Sequence, residues 1–136
     1  MDRRLHGTLL LVTLLLGGCV LSSLREVRAL EPLYTRRGVG APPEITAHCI
    51  QDYLEDHFGG RVGRLSGVVY ELRQDAGASL LIGRDWASPS AVVFVLSLAP
   101  TGTQEAEAQL RMVTYRWPGT KTAVIEGIEA CVRPAS

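Results

Sequence analysis

The histidines and a neighbouring acid are the residues whose types and spacing could hold a metal ion. His48 and Asp52 lie four positions apart, and His57 follows about one helical turn later. Residues four apart share a helix face, but a metal site there would need a further ligand from another element. No H-E-x-x-H or C-x-x-C motif accompanies them. We therefore predict exposed polar residues on an amphipathic helix, with no metal site and no cofactor.

Motifs for nucleophilic or acid–base catalysis are missing from the sequence. There is no G-x-S-x-G motif, and the glycine-rich segments do not open a helix as a phosphate-binding loop does. Paired acids such as Glu105 and Glu107 fall in segments that we expect to be solvated, whereas acid–base catalysis needs environments that separate two pKa values. The 14 basic residues equal the 14 acidic ones, which argues against nucleic-acid binding. We expect a binding protein and not an enzyme.

The N-terminal segment has the pattern of an export signal. Arg3 and Arg4 precede the uncharged apolar segment 8–16, which runs into Leu16-Gly17-Gly18-Cys19. This motif resembles the lipobox of bacterial lipoproteins, in which a Leu stands three residues before an obligatory Cys with small residues between them. The resemblance covers the signal segment alone.

The lipobox resemblance implies a cleavage and a lipid anchor. A diacylglycerol would be attached to the Cys19 thiol, the chain would be cut between Gly18 and Cys19, and the new amino group would be acylated, for example with palmitate. Val20 stands where an Asp would be expected for retention in the inner membrane, so we expect attachment to the periplasmic face of the outer membrane, with the inner membrane as the alternative. A second alternative is an uncleaved anchor, because segment 7–24 is uncharged and nearly long enough to span a bilayer.

Cys49 and Cys131 are the two cysteines that remain after lipidation of Cys19. In an oxidising compartment an even number of cysteines usually indicates a disulfide bond. We therefore predict a Cys49–Cys131 bridge, with two free buried thiols or a redox pair as the alternatives.

The elements around these residues predict an α+β fold. Apolar residues recur at helical spacing in 44–58 and again from 120 to about 133, and strand-like patterns lie between the two helices at 67–74, 78–84, 91–99 and 105–117. Short turns between consecutive strands favour an antiparallel meander. We predict a signal peptide at 1–18, a tether at 19–43 and a domain at 44–136. The domain would be a two-layer sandwich of helix, four-stranded meander and helix, closed by one disulfide.

One strand carries a candidate contact surface. The candidate partner-binding residues share one phase of the last predicted strand: Arg111, Val113, Tyr115 and Trp117. If Leu110 and Met112 face the helices, this phase faces away from them, together with Val69, Val93 and Val95. Aromatic residues and Arg are enriched at protein interfaces, so we expect a protein contact there, with a partner or a second copy. The alternative is that the tether or the loop around Trp86 folds back over this face.

These patterns together suggest a lipid-anchored cell-envelope protein that acts by binding. Its membrane attachment would come from the lipid on Cys19, and its activity would be that of an accessory of a membrane or secretion assembly. The alternative is a periplasmic ligand-binding or inhibitor module.

The lipid anchor predicts a specific labelling result. Radiolabelled palmitate should enter the wild-type protein and should not enter Cys19→Ala, because that position supplies the thiol and, after cleavage, the amino group that are acylated. Label retained in the Cys19→Ala protein would contradict the lipoprotein assignment.

Overall fold

A five-stranded antiparallel sheet organises the chain, and the computed structural model describes it within residues 23–39, 42–59, 63, 65–102, 104–113 and 119–132. The elements in these ranges are, in chain order, α1 (Leu24–Arg28), β1 (Tyr34–Val39), α2 (Pro43–Phe58), β2 (Val68–Asp75), β3 (Ala78–Asp85), β4 (Ser88–Pro100), β5 (Ala106–Met112) and α3 (Thr120–Cys131). The strand order in the sheet is β1-β5-β4-β3-β2, and every neighbouring pair is antiparallel. The predicted signal peptide and Cys19 lie outside the described residues.

The α+β class and the antiparallel meander of β2 to β5 are confirmed, but the sheet has a fifth strand. This strand, β1, comes from the segment that the sequence predicts to be tether, and it pairs with β5 at the edge of the sheet. Of its six residues only Val39 is fully buried, so the strand lacks the apolar alternation by which strands are recognised. The Tyr34 hydroxyl donates a hydrogen bond to Glu129 of α3, and the Arg36 guanidinium lies 3.4 Å from the same carboxylate. These contacts attach the edge strand to the helical layer.

Helices α2 and α3 cover one face of the sheet, which we call the helix face. Pro43 suits the first turn of α2 because its missing N–H would have no partner there. Ile50 and Leu54 of α2 and Ile128 of α3 are fully buried in the core on this face. The two helices approach closely at Gly127, where a Cβ would lie 3.1 Å from a methyl carbon of Leu54.

The predicted disulfide is confirmed and joins these two helices. Cys49 of α2 and Cys131 of α3 are bonded across a separation of 82 residues, with their Cα atoms 5.9 Å apart. Cys131 is 6% exposed, whereas Cys49 lies on the exposed side of α2 rather than on its buried stripe. The disulfide therefore links α2 to α3 near the exposed surface of the helical layer.

The opposite face of the sheet, which we call the outer face, is covered in part by α1. Val27 is fully buried there against a second apolar cluster that consists of Leu80, Ile82, Val92 and Val95. Burial of a Val side chain contributes about 1.5–3 kcal/mol, so α1 is fixed on the sheet despite its five residues. The tether prediction thus missed a structured segment that lies on the sheet.

A register shift in β4 changes which side chains face the helices. Gly83 pairs with Phe94, whereas the next residue of β3, Arg84, pairs with Val92, so β4 has an extra residue at this point. As a result Val93 lies in the core of the helix face and Val95 lies on the outer face. The expectation that Val93 and Val95 share the outer face is therefore wrong for Val93, because a bulge breaks the alternation of two.

The disulfide predicts a large loss of stability on its removal. Closing a loop of this length stabilises a fold by about 4 kcal/mol in the chain-entropy description. Replacing both Cys49 and Cys131 by Ala should lower the thermal midpoint by roughly 15–30 °C for a domain of this size, measured by circular dichroism. Reductant should lower the midpoint of the wild type and leave that of the double variant unchanged. A wild-type midpoint that stays the same after both thiols have been reduced and alkylated would contradict the prediction.

Candidate functional site

The predicted contact strip begins on β5. Leu110 and Met112 are buried on the helix face, and Arg111 between them lies on the outer face, as the strand period requires. Strand β5 ends at Met112, and Val113 follows it half-buried. Tyr115 and Trp117 lie outside the described residues, so the structure places only the first half of the strip.

Arg111 is held by the chain's own N-terminal segment. Its Nε donates to the carbonyl of Leu30 at 2.9 Å, and its other nitrogens donate to Gln109 Oε1 at 2.8 Å and Ser97 Oγ at 3.5 Å. Leu30 lies just after α1, so this guanidinium ties the N-terminal segment to the outer face. Part of the predicted partner surface is thus occupied by the segment predicted as tether, which is the alternative that the sequence left open.

The outer face of β2 and β3 carries a small network of charges that α1 leaves uncovered. Glu71 accepts hydrogen bonds from Arg73 at 2.7 Å and from Arg84 at 3.0 Å. The hydrogen bond from Arg73 is the larger cause, and the one from Arg84 the next, of a lowered pKa of the Glu71 carboxyl. Arg84 also donates to the carbonyl of Pro89 at 3.1 Å. The network pairs one carboxylate with two arginines at the partly exposed surface of β2 and β3, and such pairs are typical of a structural cluster.

Two large apolar side chains are exposed near this network. Val69 is 53% exposed on β2, and Trp86 in the β3–β4 turn is 66% exposed. The Trp86 ring lies on Gly67, where a Cβ would come within 2.8 Å of the indole Cδ1, and the Trp86 amide donates to the Gly67 carbonyl at 2.9 Å. Gly67 also has a φ of +81°, which favours glycine. An exposed indole held on a fixed backbone is suited to contact with another surface.

A cavity of about 400 Å³ opens where α2 ends and β2 begins. Its described lining is Glu55, Gly59, Leu65, Gly67, Val68, Val69 and Tyr70. The buried Tyr70 hydroxyl has no hydrogen-bond partner among the residues that the structure describes. Burial, and secondarily the charge of Glu55, raise the pKa of Tyr70 to about 12. At neutral pH this phenol is therefore protonated and can donate a hydrogen bond, but it cannot act as a base.

One histidine of α2 contacts a residue of the same helix, and the other is exposed. The His57 ring stacks on Tyr53 with ring centroids 3.9 Å apart, and its Nδ1 lies 3.0 Å from the Tyr53 carbonyl oxygen. His48 is exposed on the helix surface. In the part of the chain that the structure describes, no group of three or more His, Cys, Asp and Glu side chains could hold a metal ion.

Sequence reasoning missed two features of this region. The Tyr70 cavity depends on where α2 meets β2 in space, and no local pattern marks it. The second feature is the covering of the outer face by α1. Leu24, Val27 and Leu30 recur at helical spacing, which indicates a helix, but the pattern does not say which face of the sheet this helix would cover.

Comparisons with protein-family models, with curated proteins and with solved structures found no match for this chain. Within the described ranges, no helix has the length and apolar character needed to cross a membrane.

The raised pKa of Tyr70 predicts a pH dependence of stability. The unfolded chain releases the phenolic proton near pH 10, whereas folded Tyr70 keeps it until about pH 12, so its contribution is complete below pH 10 and is lost as the pH rises through this window. The midpoint of Tyr70→Phe should therefore fall less than that of the wild type over this range. At neutral pH the variant should be equally or more stable, because Phe removes an unpaired buried hydroxyl. Identical alkaline slopes for the two proteins would contradict the prediction.

Proposed function

We propose that this chain is a lipid-anchored protein of the bacterial cell envelope that acts by binding a protein, as an accessory of a membrane or secretion assembly. The observation that carries the proposal is the order of basic residues, apolar segment and Leu16-Gly17-Gly18-Cys19 at the N-terminus. Each part of this pattern has a separate role in export, cleavage or acylation. The pattern therefore supports attachment through Cys19 to the periplasmic face of a membrane, and Val20 favours the outer membrane over the inner one.

The disulfide supports the same compartment. Disulfides persist in oxidising environments such as the periplasm and are rare in the cytosol. Cys49 and Cys131 are bonded in the fold, and their loop of 82 residues spans most of the described domain. A protein that depends on such a bond for stability is suited to the far side of the inner membrane.

Binding is favoured over catalysis by what the polar groups contact. The Glu71 carboxylate is bonded to two arginines, Arg111 is bonded to a backbone carbonyl, and the Tyr70 phenol is held protonated. None of these groups is prepared to act as a nucleophile or base at neutral pH. The exposed Trp86 and Val69, by contrast, supply apolar contact area of the kind found at protein interfaces.

A second candidate function, a ligand-binding or inhibitor module, is favoured by the Tyr70 cavity. Its volume of about 400 Å³ falls within the range of small-molecule sites. The unpartnered hydroxyl of Tyr70 would supply one hydrogen bond to a ligand. A small molecule that remains bound in a native mass spectrum of the wild type and is lost from Tyr70→Phe would favour this function.

The protein contact is tested at the two aromatic residues of the predicted contact strip. Replacing Tyr115 and Trp117 together by Ser should abolish co-purification of a partner, or self-association, from detergent extracts of cells. Aromatic anchors commonly contribute a few kcal/mol to an interface. The thermal midpoint should change little, since the prediction places both side chains away from the core.

The matched control for this experiment is Ile45→Ser. Ile45 is 63% exposed on α2, so the substitution removes a similar exposed apolar group from the helical layer, and binding should be retained. Unfolding of the Tyr115/Trp117 double variant would place these side chains in the core and would refute the contact surface.

A further inference from the structure

The distance along the chain between the lipid anchor and the folded domain is short. Three residues lie between Cys19 and Ser23, the first described residue, so the connection is four Cα-to-Cα steps long. A fully extended chain spans at most 3.3–3.6 Å per residue, so Ser23 lies within about 14 Å of the Cys19 backbone. Ser23 is already part of the fold, because its hydroxyl caps α1 by accepting a hydrogen bond from the Glu26 amide at 3.2 Å.

The segment after Ser23 adds no length to this connection, because it is fixed on the sheet at three points. Val27 is fully buried against the outer face. Arg28 of α1 forms a salt bridge with Asp75 at the end of β2, with 2.6 Å between nitrogen and oxygen. The Leu30 carbonyl accepts the hydrogen bond from Arg111. A lipid on Cys19 is therefore connected almost directly to the outer face of the sheet.

The length of the connection and the size of the domain together decide which face meets the membrane. A domain of about 100 residues has a radius of gyration near 13 Å, so its width is at least about twice the reach of the connecting chain. The domain cannot turn far while Ser23 stays within this distance of the membrane surface. We infer that the α1 face, defined here as α1 and the residues that follow it to Leu33, rests on the bilayer that holds Cys19, with α2 and α3 turned away. This inference depends on the lipidation of Cys19 proposed above.

The composition of the α1 face fits a lipid surface. Leu30 and Leu33 are 39% and 38% exposed, and the exposed Arg25 forms no salt bridge with a described residue. Glu26 and Glu31 balance Arg25 and Arg28 on this face, so its fit to a lipid surface depends on the apolar Leu30 and Leu33.

Charge is also distributed unequally between the two faces. The helical layer carries six carboxylates and one lysine in α2 and α3: Glu44, Asp52, Glu55, Asp56, Glu126, Glu129 and Lys121. The outer face carries arginines on α1, β1, β2, β3 and β5: Arg25, Arg28, Arg37, Arg73, Arg84 and Arg111. Three acids of the same face pair with four of these arginines, and the exposed Glu26 and Glu31 of the α1 face add two more acids, so the outer face is close to neutral. An anionic lipid surface repels the helical layer and tolerates the outer face.

This orientation narrows the class of partner. Arg111, the residue of the predicted contact strip that the structure places on the outer face, shares this face with α1, so it lies at the level of the membrane surface. A protein bound there must itself be in or on that membrane, whereas a freely diffusing periplasmic protein would meet α2 and α3.

The orientation can be measured with two matched probes in the full-length lipidated protein. An environment-sensitive fluorescent amino acid replaces Glu26 on α1 in one variant and Asp52 on α2 in another; both are exposed acids. The proteins are reconstituted in vesicles of phosphatidylethanolamine and phosphatidylglycerol that contain a headgroup quencher. We expect quenching to be several-fold stronger at position 26 than at position 52. Equal quenching at the two positions would overturn the inference.

A third variant separates the length of the connection from other causes of orientation. A flexible Gly/Ser insertion of about 20 residues between Leu21 and Ser22 lengthens the average reach by roughly 25 Å without removing the lipid. Quenching at position 26 should then fall to the level at position 52. Strong quenching retained at position 26 would overturn the role of the short connection. A loss of fluorescence at position 26 that rises with the density of protein on the vesicles, and that also occurs without the headgroup quencher, would show a second copy over α1. This result would also overturn the inference.

The outcomes distinguish this inference from the proposal on which it rests. If Cys19 is not acylated, palmitate label is absent and the protein does not remain with the vesicles, so the proposed function fails. If the protein is labelled and bound but shows no difference between the two positions, only the orientation fails.

Discussion

The central strand β4 buries apolar side chains on both of its faces, and the rest of the fold depends on covering both. Leu96 and Leu98 are fully buried on the helix face, while Val92 and Val95 are almost fully buried on the outer face. Each large aliphatic side chain left in water would cost roughly 1.5–3 kcal/mol. The helices α2 and α3 cover one face, and the short α1 covers the other. The N-terminal segment is thereby part of the core and not a spacer.

Gly83 and the ring of Phe94 determine how side chains pack at one end of the helix face. Gly83 has no side chain, and the Phe94 ring occupies that space, since a Cβ there would lie 2.4 Å from the ring. Tyr70, opposite Gly83 on β2, contacts the same ring with centroids 6.3 Å apart. This packing buries the Tyr70 hydroxyl, and burial, with the charge of Glu55 as a smaller cause, raises its pKa; both side chains line the cavity. The candidate ligand site is thus a consequence of core packing.

Covering both faces also gives the domain two chemically different sides. The carboxylates of α2 and α3 give the disulfide-bonded side an excess of negative charge, whereas acids balance most of the arginines on the side that carries α1. The same segment that completes the core therefore connects the proposed anchor to the sheet. A protein built in this way could be held at a membrane in one orientation by a covalent lipid and a short chain.

The sequence by itself determined what depends on local patterns. Periodicity located α2, α3 and the first three strands of the meander to within about three residues, whereas the last strand, predicted to run to residue 117, ends at Met112. The disulfide was also predictable, since Cys49 and Cys131 fall on the two predicted helices and their number is even after Cys19 is set aside. The helices and strands need no knowledge of distant neighbours, and the disulfide needs only the number of cysteines and the compartment.

The tertiary structure decided the features that depend on residues far apart in the chain. Strand β1 exists because β5 offers an edge about 70 residues later, and its own polar pattern gives no strand signal. The position of α1, the bulge that separates Val93 from Val95 and the unpartnered Tyr70 hydroxyl follow from packing in three dimensions. The reason is physical: periodicity reports which side chains need burial, whereas only the assembled sheet supplies the surface that buries them.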